Sequence, residues 1–162
     1  DLGMKRVVAL LMENQSGALS RVVGLFSQRG YNIESLIVAP TDDPSLSRLT
    51  MTTEGDARVV EQITKQLNKL IDVVKVLDLS VEDYVGRELL LIKLDSSEEA
   101  EAKVISLGGQ VLFKNESILN AEFVGSSEEL DKIVTSLSES NLLEVVRTGL
   151  SGISSTSKTL TI

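Results

Sequence analysis

A chain of 162 residues, 42% of them apolar and with a formal charge of −8, is long enough for one ordinary domain or two small ones with cores of their own. Zero cysteines exclude disulfides and thiolate metal sites, and zero histidines remove the side chain best suited to proton transfer near neutral pH. The negative charge and the presence of only two tyrosines and three phenylalanines argue against nucleic acid as a partner.

No apolar stretch approaches the roughly 20 residues that span a bilayer, and the N-terminus lacks the basic region, apolar run and cleavage site of a signal peptide. The expectation is a soluble, cytoplasmic protein without membrane contact. Met4, followed by Lys5 and Arg6, reads as a native start, and Asp1 to Gly3 as residues left over from expression.

The first segment, Arg6 to Glu13, is a valine- and leucine-rich run too short for a buried helix and ends in turn residues, which predicts a central strand. From Ala18 to Arg29, Leu19, Val22, Val23 and Phe26 recur at helical spacing, and Gly30 stands where a helix stops. Tyr31 to Ala39 and Leu46 to Thr53 are rich in β-branched residues and predict two strands, joined by a Pro40-Thr41-Asp42-Asp43-Pro44 loop. Asp56 caps a second predicted helix striped by Val59, Val60, Ile63, Leu67 and Leu70, and Val73 to Leu79 is a further strand. The order is β-α-β-β-α-β.

Ser80 to Gly86 is a polar interruption, after which the order repeats. A strand from Glu88 to Leu94 is followed by a helix after Ser97 that ends at Gly108-Gly109. Next come a hairpin of Gln110 to Lys114 with Ile118 to Val124, a helix capped by Ser127, and a closing strand from Leu142 to Thr148. The domains are therefore 4–79 and 87–150 around a linker at 80–86. The Ser/Thr-dominated segment 151–162 is expected to be a mobile tail outside any core. The fold class is α+β, with two ferredoxin-like units, each a four-stranded antiparallel sheet carrying both helices on one face. The other face, with Ile33, Leu36 and Val38 on one strand, predicts pairing or packing with a second copy.

Asn14-Gln15-Ser16-Gly17 lies where the first strand gives way to the first helix, where backbone N–H groups are unpaired. The N–H groups of Gly17, Ala18 and Leu19 suit a carboxylate, helped by the helix dipole, and Asn14 offers a carbonyl oxygen to an ammonium group. Leu19 and Ile33 are candidates for a small apolar pocket, so the ligand would be an aliphatic amino acid. The competing reading is that Asn14 and Ser16 only cap the helix and Gly17 only makes the turn. The equivalent turn in the second half, Asp95-Ser96-Ser97-Glu98, has no glycine and adds negative charge, so only the first half suits a carboxylate.

Other candidates carry less. Asp42 and Asp43, flanked by Pro40 and Pro44, read as turn residues, not as a catalytic pair. Arg29 and Arg48 could meet a partner's carboxylates but more commonly would be solvated or salt-bridged. Gly108-Gly109 lacks the Gly-Lys-Ser of a phosphate loop.

The run Glu13-Asn14-Gln15-Ser16-Gly17-Ala18-Leu19-Ser20-Arg21-Val22, with Gly24-Leu25-Phe26-Ser27-Gln28-Arg29-Gly30-Tyr31-Asn32-Ile33-Glu34-Ser35-Leu36 and Val38-Ala39-Pro40-Thr41-Asp42, resembles the regulatory (small) subunit of acetohydroxyacid synthase, or acetolactate synthase. The resemblance continues through Ser47-Arg48-Leu49-Thr50 and Arg87-Glu88-Leu89 and weakens beyond about Asp95. It implies an N-terminal ACT domain, a homodimer through ACT domains, and assembly with a catalytic large subunit that holds thiamine diphosphate, magnesium and FAD. No cofactor, metal or catalytic residue is expected in this chain itself. It also implies that the chain activates the large subunit and confers feedback inhibition by valine in branched-chain amino acid synthesis. The effector would lie between two ACT domains, on Asn14, Gly17, Ala18 and Leu19 of one chain and Asn32 and Ile33 of the other. Position 37 is Ile where the family is expected to carry threonine, which bears on the effector preferred. The alternative is a free-standing ACT-domain sensor controlling another protein.

Overall fold

The computed structural model describes residues 5–162, so Met4 and Asp1 to Gly3 lie outside the described residues. The chain forms two compact units, one of residues up to Val85 together with Ser151–Ile162, the other of Gly86–Leu150.

In the first unit, strands β1 (Lys5–Glu13), β2 (Ile33–Pro40), β3 (Leu46–Glu54) and β4 (Val73–Asp78) form an antiparallel sheet in the order β2-β3-β1-β4. Helices α1 (Ala18–Arg29) and α2 (Ala57–Leu67) cover one face, packing Val22, Phe26, Val60, Ile63 and Leu67 against Val8, Leu10 and Met12 of β1. The terminators act as residue chemistry dictates. Gly30 takes the left-handed conformation at φ 70° that closes α1, and the Asp56 carboxylate accepts from the Val59 N–H at 3.0 Å to open α2.

The opposite face differs from expectation. Ile33, Leu36 and Val38, placed by sequence reasoning on an open face, pack instead against the helix-side core. A register irregularity between Ile33 and Ser35 lets Ile33 share a face with Leu36 and Val38, so the three stay together as the sequence grouped them, but on the helix side of the sheet. Val7, Ala9 and Leu11, which do point away from the helices, are 1%, 0% and 3% exposed. Their cover comes from the same chain. A 3-10 turn at Leu79–Val81 follows β4, and the C-terminal segment, expected to stay out of any core, forms strand β9 (Ser151–Ser154) and buries Leu160. Gly152 fits there because a Cβ would fall 2.8 Å from Leu79 Cδ1. Arg48 Nη2 donates to Gly152 O at 2.7 Å, Lys75 Nζ donates to Thr161 O at 3.2 Å, and Lys158 pairs with Glu82.

In the second unit, β5 (Tyr84–Asp95), β6 (Gln110–Lys114), β7 (Ile118–Gly125) and β8 (Leu142–Arg147) order as β6-β7-β5-β8. Helices α3 (Glu98–Ser106) and α4 (Ser127–Leu137) lie on one face over Leu90, Ile92, Leu94 and Phe123. β5 begins inside the expected linker. Ser126, not Ser127, caps α4 by accepting from Glu129 N–H at 3.1 Å. Ser127 is the first helical residue and donates instead to Glu88 at 2.9 Å. Glu88, buried, also receives Arg147 Nε and Nη2, both at 2.9 Å.

Candidate functional site

The β1–α1 turn is pinned on two sides. Glu13 N–H donates to Asp72 O at 2.8 Å just ahead of β4, and Asn14 N–H donates to Ser45 O at 2.8 Å in the β2–β3 loop. Asn14 Nδ2 also donates to Pro44 O at 3.1 Å, which fixes the side-chain amide and leaves its Oδ1 available to accept. Gly17 then turns the chain into α1 with φ 84°, a left-handed conformation that side chains disfavour.

No side chain caps α1, so the reading of Asn14 and Ser16 as simple caps does not hold. Ala18 N–H is spent on Gln15 O at 3.2 Å, and its side chain is buried. The N–H groups of Gly17, Leu19 and Ser20 have no acceptor among the described residues. They form a fixed donor group at the positive end of a 12-residue helix, the arrangement that binds a carboxylate. In the second unit the same position is closed, because Ser97 Oγ accepts from Ala100 N–H at 2.9 Å.

Two residues that sequence reasoning passed over shape this turn. Arg21 Nε and Nη2 donate to Asp72 at 2.5 and 3.1 Å, and Nη2 reaches Ser16 O at 3.4 Å. A Cβ on Gly17 would fall 2.9 Å from Arg21 Nη1, so the guanidinium lies against the turn. The hydrogen bond from Arg21 holds the Asp72 carboxyl below its ordinary range and raises the guanidinium. The local signal was present for Arg21, four residues after Gly17 and so on the same helix face, and absent for Asp72, 51 residues away.

Asn32 and Ile33 sit at the far end of α1. Asn32 O accepts from Thr53 Oγ1 at 2.6 Å, and Ile33 packs on the first core. At about 1.5 Å per residue, the 12 residues of α1 keep them roughly 18 Å from the turn. A single chain therefore does not bring the six residues together. Asp43 is a turn residue, its Oδ1 accepting from Ser45 N–H at 2.9 Å and Oγ at 2.7 Å, and Arg29 Nη2 donates to Gln66 Oε1 at 3.1 Å. Ile37 lines a cavity on the other face of the sheet, away from the turn. Among the described residues no cluster of three potential ligands could hold a metal, and no helix is long and apolar enough to cross a membrane.

Residues 8–75 match the AHAS small subunit-like ACT domain, and residues 87–156 match the small subunit of acetolactate synthase. The acetolactate synthase isozyme 3 small subunit of Salmonella typhimurium is 47% identical over 156 residues, covering 93% of this chain and 96% of that protein. The chain belongs to the acetolactate synthase small-subunit family. A probable acetolactate synthase small subunit of Methanothermobacter thermautotrophicus is 39% identical over 159 residues, covering 95% of each chain. The crystal structure of the acetolactate synthase small subunit from Thermotoga maritima superposes with a TM-score of 0.85 at 31% identity, covering 93% of this chain and 96% of that one. The small-subunit likeness thus extends through the second unit, where sequence reading had found it weak past Asp95.

Proposed function

We propose that this chain is the non-catalytic regulatory subunit that activates the large subunit of acetolactate synthase and makes it sensitive to valine in the cytoplasmic synthesis of branched-chain amino acids. The reading is carried by the uncapped start of α1, where the N–H groups of Gly17, Leu19 and Ser20 have no acceptor among the described residues and follow closely in sequence on Asn14, whose Oδ1 is available to accept. These two groups suit the carboxylate and the ammonium of one α-amino acid. Leu19, 36% exposed, offers an apolar surface beside them.

Asn32 and Ile33 of a second copy complete the pocket, since their own chain holds them a helix length away. Valine bound between two ACT domains shifts the dimer between states that act differently on the large subunit, and the coupling is reciprocal. Thiamine diphosphate, magnesium and FAD belong to the large subunit in this scheme.

The test mixes this chain with a candidate large subunit and follows acetolactate formation from pyruvate. Addition of the chain is expected to raise the rate, and valine to lower it only in the mixture. A rate indifferent to the chain, or inhibition of the large subunit alone, overturns the proposal.

A further inference from the structure

A cavity of the first unit lies on the sheet face away from α1 and α2. It measures about 380 Å³ and is walled by Leu11, Ile37, Arg48, Thr50 and, from the C-terminal segment, Leu160. That volume is within the range of small-molecule sites, and its apolar walls are joined by the polar side chains of Thr41, Asp42, Arg48, Thr50 and Ser151.

Arg48 enters half-buried from β3. One of its five N–H donors is used on Gly152 O, at 2.7 Å. Among the described residues no carboxylate pairs with it. Burial pulls its guanidinium below the ordinary value, as expected of a cation partly withdrawn from water without a counter-charge. Thr50 is 2% exposed and its hydroxyl has no hydrogen-bond partner among the described residues. Two donors thus open on one cavity with hydrogen-bonding capacity left over, the remaining N–H groups of Arg48 and the hydroxyl of Thr50. Asp42 also lines the cavity, and its negative charge weighs against phosphates and other multiply charged anions.

We propose that this cavity binds a small aliphatic monocarboxylate, its carboxylate on Arg48 and Thr50 and its hydrocarbon body against Leu11, Ile37 and Leu160. The site is separate from the β1–α1 turn, because Leu10 and Met12 of β1 face the helices while Leu11 faces the cavity. Because Leu160 forms one wall, the bound anion ties the C-terminal segment to the sheet.

Isothermal titration of the full-length chain with 3-methylbutanoate tests this. Saturable binding is expected, weakened at least about tenfold by Arg48→Gln, whose amide can keep the bond to Gly152 but carries no charge. Gly17→Asp should leave it unchanged, which separates this cavity from the turn. Should Arg48→Gln fail to fold, Ile37→Glu, a half-buried position on edge strand β2, puts a carboxylate into the cavity and should abolish binding. Absence of saturable binding, full affinity in Arg48→Gln or in Ile37→Glu, loss of binding in Gly17→Asp, or displacement by equimolar inorganic phosphate overturns the assignment.

Discussion

Replacing Gly17 by alanine separates the backbone role of that residue from its role in ligand binding, provided the strain is matched elsewhere. Gly108 supplies the match, with φ 89° against 84° at Gly17, and nothing lies within 4 Å of a Cβ built on it. Alanine at either position is forced into the left-handed region at roughly 1–2 kcal/mol, so each unit should melt roughly 4–16 °C lower. The two variants diverge at the site. The Gly17 methyl would stand 2.9 Å from Arg21 Nη1, crowding the guanidinium that lies against the turn whose N–H groups are to receive the carboxylate. Valine affinity is therefore expected to fall at least about tenfold, or about 1.4 kcal/mol, in Gly17→Ala and to stay unchanged in Gly108→Ala. Gly17→Asp, which adds a carboxylate at the same place, should abolish binding. Calorimetric titration read beside thermal melts checks the pair. Unaltered affinity in Gly17→Ala, or equal losses in both alanine variants, would refute the assignment of the donors to the ligand.

Arg147→Met should strip Glu88 of its bidentate partner while leaving the carboxylate buried, destabilising the second unit by about 3 kcal/mol in denaturant melts. This is the low end for a broken buried pair, because Arg147 is 29% exposed. Stability should also fall as pH drops from about 5 to 3. Burial pushes Glu88 up, but the hydrogen bonds from Arg147 and Ser127 outweigh it and hold the group below its ordinary value, as Arg21 does for Asp72. A carboxyl depressed in the folded state contributes stability that is full above its unfolded pKa, near 4, and lost as pH falls through the folded value. Glu34, raised by burial and by its hydrogen bond with Glu54, acts in the opposite sense and flattens the curve. The acid slope should be shallower in Glu88→Gln, and an identical slope would show that this group does not carry it. Leu160→Ala should cost about 2 kcal/mol in the first unit, because Leu160 is 7% exposed, and speed amide exchange across β9. A surface residue would give neither effect.

Most of the fold was legible because periodicity is local. The α2 stripe as far as Leu67, the Asp56 cap and the Gly30 stop depend only on neighbours within a turn or two and appear where the spacing puts them, whereas Leu70 falls beyond the end of α2. The failures share a cause. Ser126 and Ser127 are equally good caps by composition, and only backbone geometry decides between them. The stripe read for α1 included Leu19, but Ala18, Val22 and Phe26 form its buried centre, which leaves Leu19 turned outward beside the candidate site. The C-terminal segment shows no period because it contributes one four-residue strand and the separate buried Leu160. The continuous apolar run of β1 was itself evidence that both faces are covered, a pattern of central strands, though it could not say by what. In the site, Asn14 and Gly17 were legible from turn chemistry. The Arg21–Asp72 pair was not, since no local pattern joins residues 51 apart.

The length of α1 has a thermodynamic consequence for the proposed function. Turn and Asn32–Ile33 lie at opposite ends of a 12-residue helix, so two copies related by a two-fold axis would complete two equivalent pockets, each borrowing one half from either chain. A ligand that must touch both chains binds the dimer and not the monomer. At a free concentration one hundred times its Kd, each site then adds about 2.7 kcal/mol to association. Two sites add about 5.4 kcal/mol, or roughly a 10⁴-fold tighter dimer. Valine should accordingly shift the dissociation seen by sedimentation to far lower protein concentration, and valine affinity should weaken on dilution. Were both half-sites sufficient within one chain, the dimer constant would not move with valine, and the donors at Gly17, Leu19 and Ser20 would have to find their ligand's remaining contacts without a second copy.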